Sequence, residues 1–189
     1  PKAEKLAMHS KGQGFAVYDP RGSKGMALTY ATSPKGAHHM VATTMGEEIG
    51  TNTRLINHGK GNLQKRHQIS MVLCDSIAIC STMRVGMKLE DQTRAYALVT
   101  GLNIDSKHLE LSAERIINLE RLYNSKLGYS RKDDILPSRF LTETLPHGES
   151  RGETVELEHL LDEYYIAMGW NVEDGLPPKD KLEELGLLY

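Results

Sequence analysis

Apolar positions in the last third of the chain recur at helical spacing. Leu157, Leu160, Leu161, Tyr164, Tyr165 and Met168 fall at i, i+3, i+4, i+7, i+8 and i+11, which predicts a helix over about 157–168 stopped by Gly169. Ser23 is placed to cap a helix running to about Thr32, where Met26, Ala27, Tyr30 and Ala31 share helical spacing and Ser33-Pro34-Lys35-Gly36 ends the pattern. From about Leu63 to Met83, the residues Ile69, Val72, Leu73, Ile77, Ala78 and Cys80 make one wide apolar face behind a polar start, Gln64 to Gln68, that reads as solvated. Glu90 to Thr100 reads as a further helix closed by Gly101. Ser112, with Glu114 in the first turn, predicts the start of another, with Ile116, Leu119 and Tyr123 inside and Gly128 at its end. A short helix, Lys179 to Leu185, follows Pro177-Pro178 and closes at Gly186.

Between these segments the pattern lapses. Residues 1–22 read as irregular, with Phe15 to Tyr18 as a short strand or an extended approach. Residues 40–61 read as mostly loop, with room for a helical turn, and 129–154 as a long connector. No sustained period-2 alternation and no internal repeat is found. The expected fold class is all-α, multihelical, with irregular connectors.

Composition narrows the class. The 189 residues suffice for a real core, as one domain or two small helical subdomains. Twenty-three basic against 25 acidic residues leave a net charge of −2, so nothing in the balance asks for nucleic acid, and no apolar run approaches a membrane span. Two cysteines, Cys74 and Cys80, make no disulfide framework and suit a reducing, cytoplasmic setting. No secretory signal opens the chain, and its first residue is Pro1 rather than Met, as expected of a processed chain or a piece of a longer one.

Three side chains carry candidate chemistry. Cys80 is either an inert small apolar group or a metal ligand whose companions lie in another segment, because iron–sulfur clusters ordinarily take four thiolates and this chain has two. Asp75, set in an apolar helix and expected to be at least partly buried, needs hydrogen-bond donors or a cation. A nearby arginine or loop amide would serve, as would a ligand rich in N–H groups. His38 and His39 are either exposed loop histidines or supply one imidazole poised near neutral pH. As neighbours they point different ways, so at most one faces a given site. Gly12, Gly14 and Gly59-Lys60-Gly61 lack the spacing of a phosphate loop, and Tyr164, Tyr165 and Trp170 read as core.

Several longer runs resemble the aldehyde ferredoxin oxidoreductase family, tungsten or molybdenum enzymes with two pterin ligands. Asp19-Pro20-Arg21-Gly22, continued by Gly25-Met26-Ala27-Leu28-Thr29-Tyr30-Ala31-Thr32 and Gly36-Ala37-His38-His39, is similar to that family's "DPRG…GMGL.YAT…RGACH". Asp75-Ser76-Ile77-Ala78-Ile79-Cys80 is similar to its "D-x-x-G-L-C" motif. Asn118-Leu119-Glu120-Arg121-Leu122-Tyr123, Asp133-Asp134-Ile135-Leu136-Pro137-Ser138-Arg139-Phe140, Leu161-Asp162-Glu163-Tyr164-Tyr165 and the closing Lys181-Leu182-Glu183-Glu184-Leu185-Gly186-Leu187 also fit, in order along nearly the whole chain. Ala78 stands where the motif has Gly, and Ile79 where it has Leu.

The resemblance implies that residues 1–189 form the C-terminal helical domain or domains of a longer enzyme, without its N-terminal β domain and upstream cluster cysteines. It implies that Cys80 is the fourth thiolate ligand of a four-iron four-sulfur cluster, that Asp75 hydrogen-bonds a pterin with Ile79 beside it, and that His39 is the catalytic proton donor or acceptor near the metal. The implied reaction is oxidation of an aldehyde to a carboxylic acid, with electrons passing through the cluster to ferredoxin, in a homo-oligomer. The segment by itself is expected to be inactive. Two other expectations stay open at this point: a helical scaffold or assembly subunit without catalysis, and a relative that reduces an aromatic thioester.

Overall fold

A computed structural model of the chain describes residues 6–188; residues 1–5 and 189, the first of which fall in the stretch read as irregular, lie outside it. Among the described residues there are eight α-helices: α1 (Lys24–Thr32), α2 (Met45–Gly50), α3 (Lys60–Ser76), α4 (Leu89–Thr100), α5 (Ser106–Lys126), α6 (Ser138–Thr142), α7 (Leu157–Met168) and α8 (Lys179–Glu184). The one sheet among them is a two-residue antiparallel ladder, β1 (His9–Ser10) with β2 (Gln13–Gly14). Phe15 to Tyr18, read as a short strand or extended approach, are not in it. The all-α class therefore holds. No described helix is long and apolar enough to cross a membrane.

Helix α3 is the axis of the structure, packing against α1, α5 and α7. Every residue of α1 is buried, which is why its apolar residues make no one-sided stripe. Ser23 caps it as expected, its side chain accepting the Met26 N–H. The main core joins Met26, Leu28, Tyr30 and Ile117 to Leu160, Leu161, Tyr164, Tyr165, Met168 and Trp170. A smaller cluster, Leu73, Leu109 and Ala113, lies under α4.

The N-terminus of α3 is capped from a distance. Gly59 precedes it with φ of 76°, and the Glu163 carboxylate of α7 accepts the N–H groups of Gly59, Lys60 and Gly61 at 2.9, 2.8 and 3.2 Å. An anion at this helix end meets both the orphan donors and the positive end of the dipole. Glu48 of α2 is fully buried and binds the Lys60 ammonium at 2.7 Å and the Gly25 N–H at 2.9 Å, with Ser23 and Thr44 hydroxyls beside it. One carboxylate thus locks the starts of α1 and α3 to α2.

Four expectations need correction. The inner face of α5 carries Leu109, Ala113 and Ile117 rather than Ile116, Leu119 and Tyr123, and Leu119 and Tyr123 are exposed. The polar start of α3 is not solvated throughout: Gln64 and Gln68 are buried, because Thr29 donates to Gln64 Oε1 at 2.6 Å and the Tyr164 hydroxyl to Gln68 Oε1 at 2.7 Å. Helix α5 begins at Ser106, capped by Asp105, whose carboxylate accepts the His108 N–H at 2.9 Å; Ser112 sits inside the helix and donates back to the His108 carbonyl. Helix α3 stops at Ser76, not near Met83, so Cys80 is off the helix.

Candidate functional site

The end of α3 shapes the site. Ile77 is the C-cap, Ala78 adopts φ of 57°, and the Ile79 N–H reaches back to the Cys74 carbonyl at 2.9 Å. This is the six-to-one closure of a Schellman turn, with alanine where glycine is the ordinary choice. The turn ends the helix just after Asp75 and carries Ile79 and Cys80 across its tip. Cys80 then precedes a 3-10 turn, Ser81–Val85, through its carbonyl, which accepts the Met83 N–H at 2.9 Å.

Asp75, Ile79 and Cys80 line one cleft of about 390 Å³. Its other walls are Pro34 and Lys35 after α1, His38, Met40 and Val41 on the turn around His39–Val41, Gln68 of α3 and Glu120 of α5. Asp75 is expected from the sequence to be at least partly buried; its side chain is instead exposed at the cleft, and among the described residues it makes no hydrogen bond or ion pair. Cys80 is exposed as well, and not on an apolar helix face.

The two thiols differ in chemistry. Cys80 Sγ lies 3.0 Å from Thr82 Oγ1, and hydrogen bonds from the Thr82 side chain and main chain draw its pKa below the usual thiol value. Cys74 is fully buried, and burial pushes its thiol up. Cys80 is therefore the more accessible and the more acidic thiol of the two. The described residues contain no group of three or more histidine, cysteine or acidic side chains that could hold a metal ion.

Of the two adjacent histidines only one lines the cleft, and it is His38; His39, the expected proton donor or acceptor, is not among its lining residues. Their rings stack with centroids 5.6 Å apart, and His39 also packs on Tyr18 at 5.6 Å. Burial, with Lys35 and His39 nearby, holds the His38 pKa below its usual value against the pull of Asp75, and its Nδ1 is enclosed without a partner among the described residues. Glu120 lies in the run Asn118 to Tyr123, but nothing in that run assigns it to this cleft. Desolvation pushes its carboxyl up, Asp75 adds to the rise, and Lys35 opposes it. A larger recess of about 670 Å³, between α3 and the start of α4, includes neither cysteine and no histidine.

An unpartnered carboxylate, an accessible thiol and an imidazole with an enclosed, unpartnered nitrogen thus share one cleft. Over residues 1–187 the chain matches the family described as aldehyde ferredoxin oxidoreductase, domains 2 & 3, and it belongs to that family. It is 36% identical over 188 residues to the tungsten-containing aldehyde ferredoxin oxidoreductase of Pyrococcus furiosus, with 96% of this chain and 31% of that protein covered. The protein of the same description from Pyrococcus horikoshii is 35% identical over 186 residues, covering 95% and 30%. That from Thermococcus kodakarensis is 34% identical over 188 residues, covering 96% and 31%. The chain thus spans under a third of the length of these relatives.

Proposed function

We propose that this chain is the C-terminal helical part of a tungsten bis-pterin oxidoreductase that oxidises aldehydes to carboxylic acids and passes the electrons through a four-iron cluster to ferredoxin. The observation that carries the reading is the single cleft holding Asp75, Ile79 and Cys80 in a member of this family. The residues present fit the implied groups. Asp75 has both carboxylate oxygens uncommitted among the described residues, and Cys80 is exposed, with a pKa drawn below the usual thiol value.

When bound, the pterin-held metal would supply the two-electron exchange with the substrate carbon, and the cluster the single-electron exit. Asp75 would accept N–H bonds from a pterin ring and fix its plane, with Ile79 excluding water beside it. Cys80 would hold the cluster from this side, completing a set begun by upstream thiolates. His39 would give or take the proton that accompanies carbonyl oxidation, beside the stacked His38 ring that lines the cleft. The free thiol suits a reducing cytoplasm.

The test uses the full-length polypeptide that carries this segment. Stoichiometric tungsten and iron, with aldehyde-dependent reduction of ferredoxin, support the reading. Absence of metal, or turnover of aromatic thioesters but not aldehydes, overturns it.

A further inference from the structure

Arg84 joins two of the segments that line the cleft. It lies on the turn Ser81–Val85 that follows Cys80, and that turn is tied to Cys80 through the Met83 N–H. Its Nη2 donates to the Thr43 carbonyl at 3.2 Å. The Thr43 hydroxyl in turn donates to the His39 carbonyl at 3.0 Å. Its Nη1 donates to His67 Nδ1 of α3 at 3.1 Å. A guanidinium has no acceptor, so Nδ1 must be the unprotonated nitrogen and Nε2 must carry the hydrogen. That Nε2–H faces Glu47 Oε2 at 2.9 Å, and Glu47 is held from its other side by a bidentate Arg66 at 2.9 and 2.9 Å.

The result is one hydrogen-bonded line from the His39 main chain through Thr43, Arg84, His67 and Glu47 to Arg66. No other described polar side-chain bond links the segment after Cys80 to the segment after His39. Nothing in the sequence marks Arg84 as special, and in the structure it touches neither cleft acid.

We propose that Arg84 is a positioning residue that sets the Cys80 segment against the His38–His39 turn. It fixes where the thiol stands relative to the imidazoles, and it adds a positive charge to the turn that follows Cys80, the proposed cluster ligand. This deepens the proposed function and, for its redox consequence, rests on it. Loss of that charge makes an added electron less welcome, so the cluster's reduction potential falls.

The experiment compares wild type, Arg84→Gln, Arg84→Lys and His67→Ala in the full-length chain by two readouts. The first is amide hydrogen exchange of the cofactor-free protein. In Arg84→Gln, exchange is expected to rise about tenfold in both 39–45 and 81–86 together, since both lose the same tether. Arg84→Lys and His67→Ala, which each keep part of the bridge, are expected to lie between. A rise in one segment alone, or in neither, overturns the bridge. The second readout is the cluster potential, with kcat and KM, of the loaded protein. Arg84→Gln is expected to lower the potential and to cut kcat about tenfold with KM little changed. A lower melting temperature with unchanged potential and kcat would show a merely structural arginine and overturn the positioning role. A wild-type chain that takes up no iron defeats the functional reading itself, while the exchange result still decides the bridge. Should Arg84→Gln fail to fold, the exchange of His67→Ala decides the bridge in its place: a rise in both segments supports it, and a rise in one or neither overturns it.

Discussion

Gly61 lies directly on the backbone of Glu163. A Cβ built at Gly61 would stand 2.3 Å from both the carbonyl carbon and the oxygen of Glu163. The approach is that close because the Glu163 carboxylate folds over the start of α3 to cap it, so α3 and α7 meet backbone to backbone.

Gly61→Ala is therefore expected to destabilise the protein by about 3 kcal/mol, against the roughly 0.5–1 kcal/mol an alanine ordinarily gains over glycine in a helix. Gly46 of α2, where a Cβ would meet nothing within 4 Å, is the matched control and is expected to gain slightly on the same change. Chemical denaturation of the two variants reads the contrast. Equal behaviour would mean that α3 and α7 do not meet so closely.

Ala78 offers the opposite sign. It holds φ of 57° on an exposed turn, where a Cβ costs roughly 1–2 kcal/mol. Ala78→Gly is expected to stabilise by about 0.5–1 kcal/mol, the gain being reduced by the greater freedom of glycine in the unfolded chain. A loss of stability would contradict the left-handed turn that presents Ile79 and Cys80.

Asp134 is buried with two cations, Arg121 at 2.7 Å and Lys11 at 2.8 Å, and takes the Tyr165 hydroxyl at 2.6 Å. Removing it strands both cations in the interior. Asp134→Ala is expected to cost about 3–5 kcal/mol, read as a fall in melting temperature and soluble yield. Stability within about 1 kcal/mol of wild type would show the cations reaching water instead.

His67 makes stability depend on pH. Burial holds its pKa below 6.5, with Arg84 and Arg66 adding to the fall and Glu47 opposing it. The folded state then binds fewer protons than the unfolded state below pH 6.5. Its contribution is complete above the unfolded value, declines as pH drops beneath it, and levels off once the folded value is passed. Thermal unfolding from about pH 7.5 down to about pH 5.5 is expected to show a decline that is shallower in His67→Gln. Parallel slopes in the two proteins would mean that the histidine is not held neutral by its surroundings.

Sequence was a good guide where local signals agree with packing. Helix α7 occupies Leu157–Met168 as its apolar spacing requires, and Gly101 and Gly169 end their helices in the left-handed conformation. It misled where a distant partner decides. Nothing near Gln64 or Gln68 shows that Thr29 and Tyr164 will take them into the core. The apolar run Ile77 to Cys80 continues a helical stripe, and a left-handed alanine is not a recognised stop, so the end of α3 was hidden. Within the cleft, Asp75, Ile79 and Cys80 stand out by their motif, and the structure sets them on a common wall. Glu120 and Arg84 were illegible, because each enters through folding of a segment remote from that motif.

The central claim is that Cys80 is the thiolate this segment contributes to an iron–sulfur cluster shared with upstream polypeptide. The most direct measurement is the iron content and low-temperature paramagnetic spectrum of the full-length chain with Cys80→Ser, set beside Cys74→Ser. The expected result is loss of the cluster on replacing the exposed, acidified thiol and its retention on replacing the buried one. Undiminished iron and an unaltered spectrum in Cys80→Ser would contradict the claim.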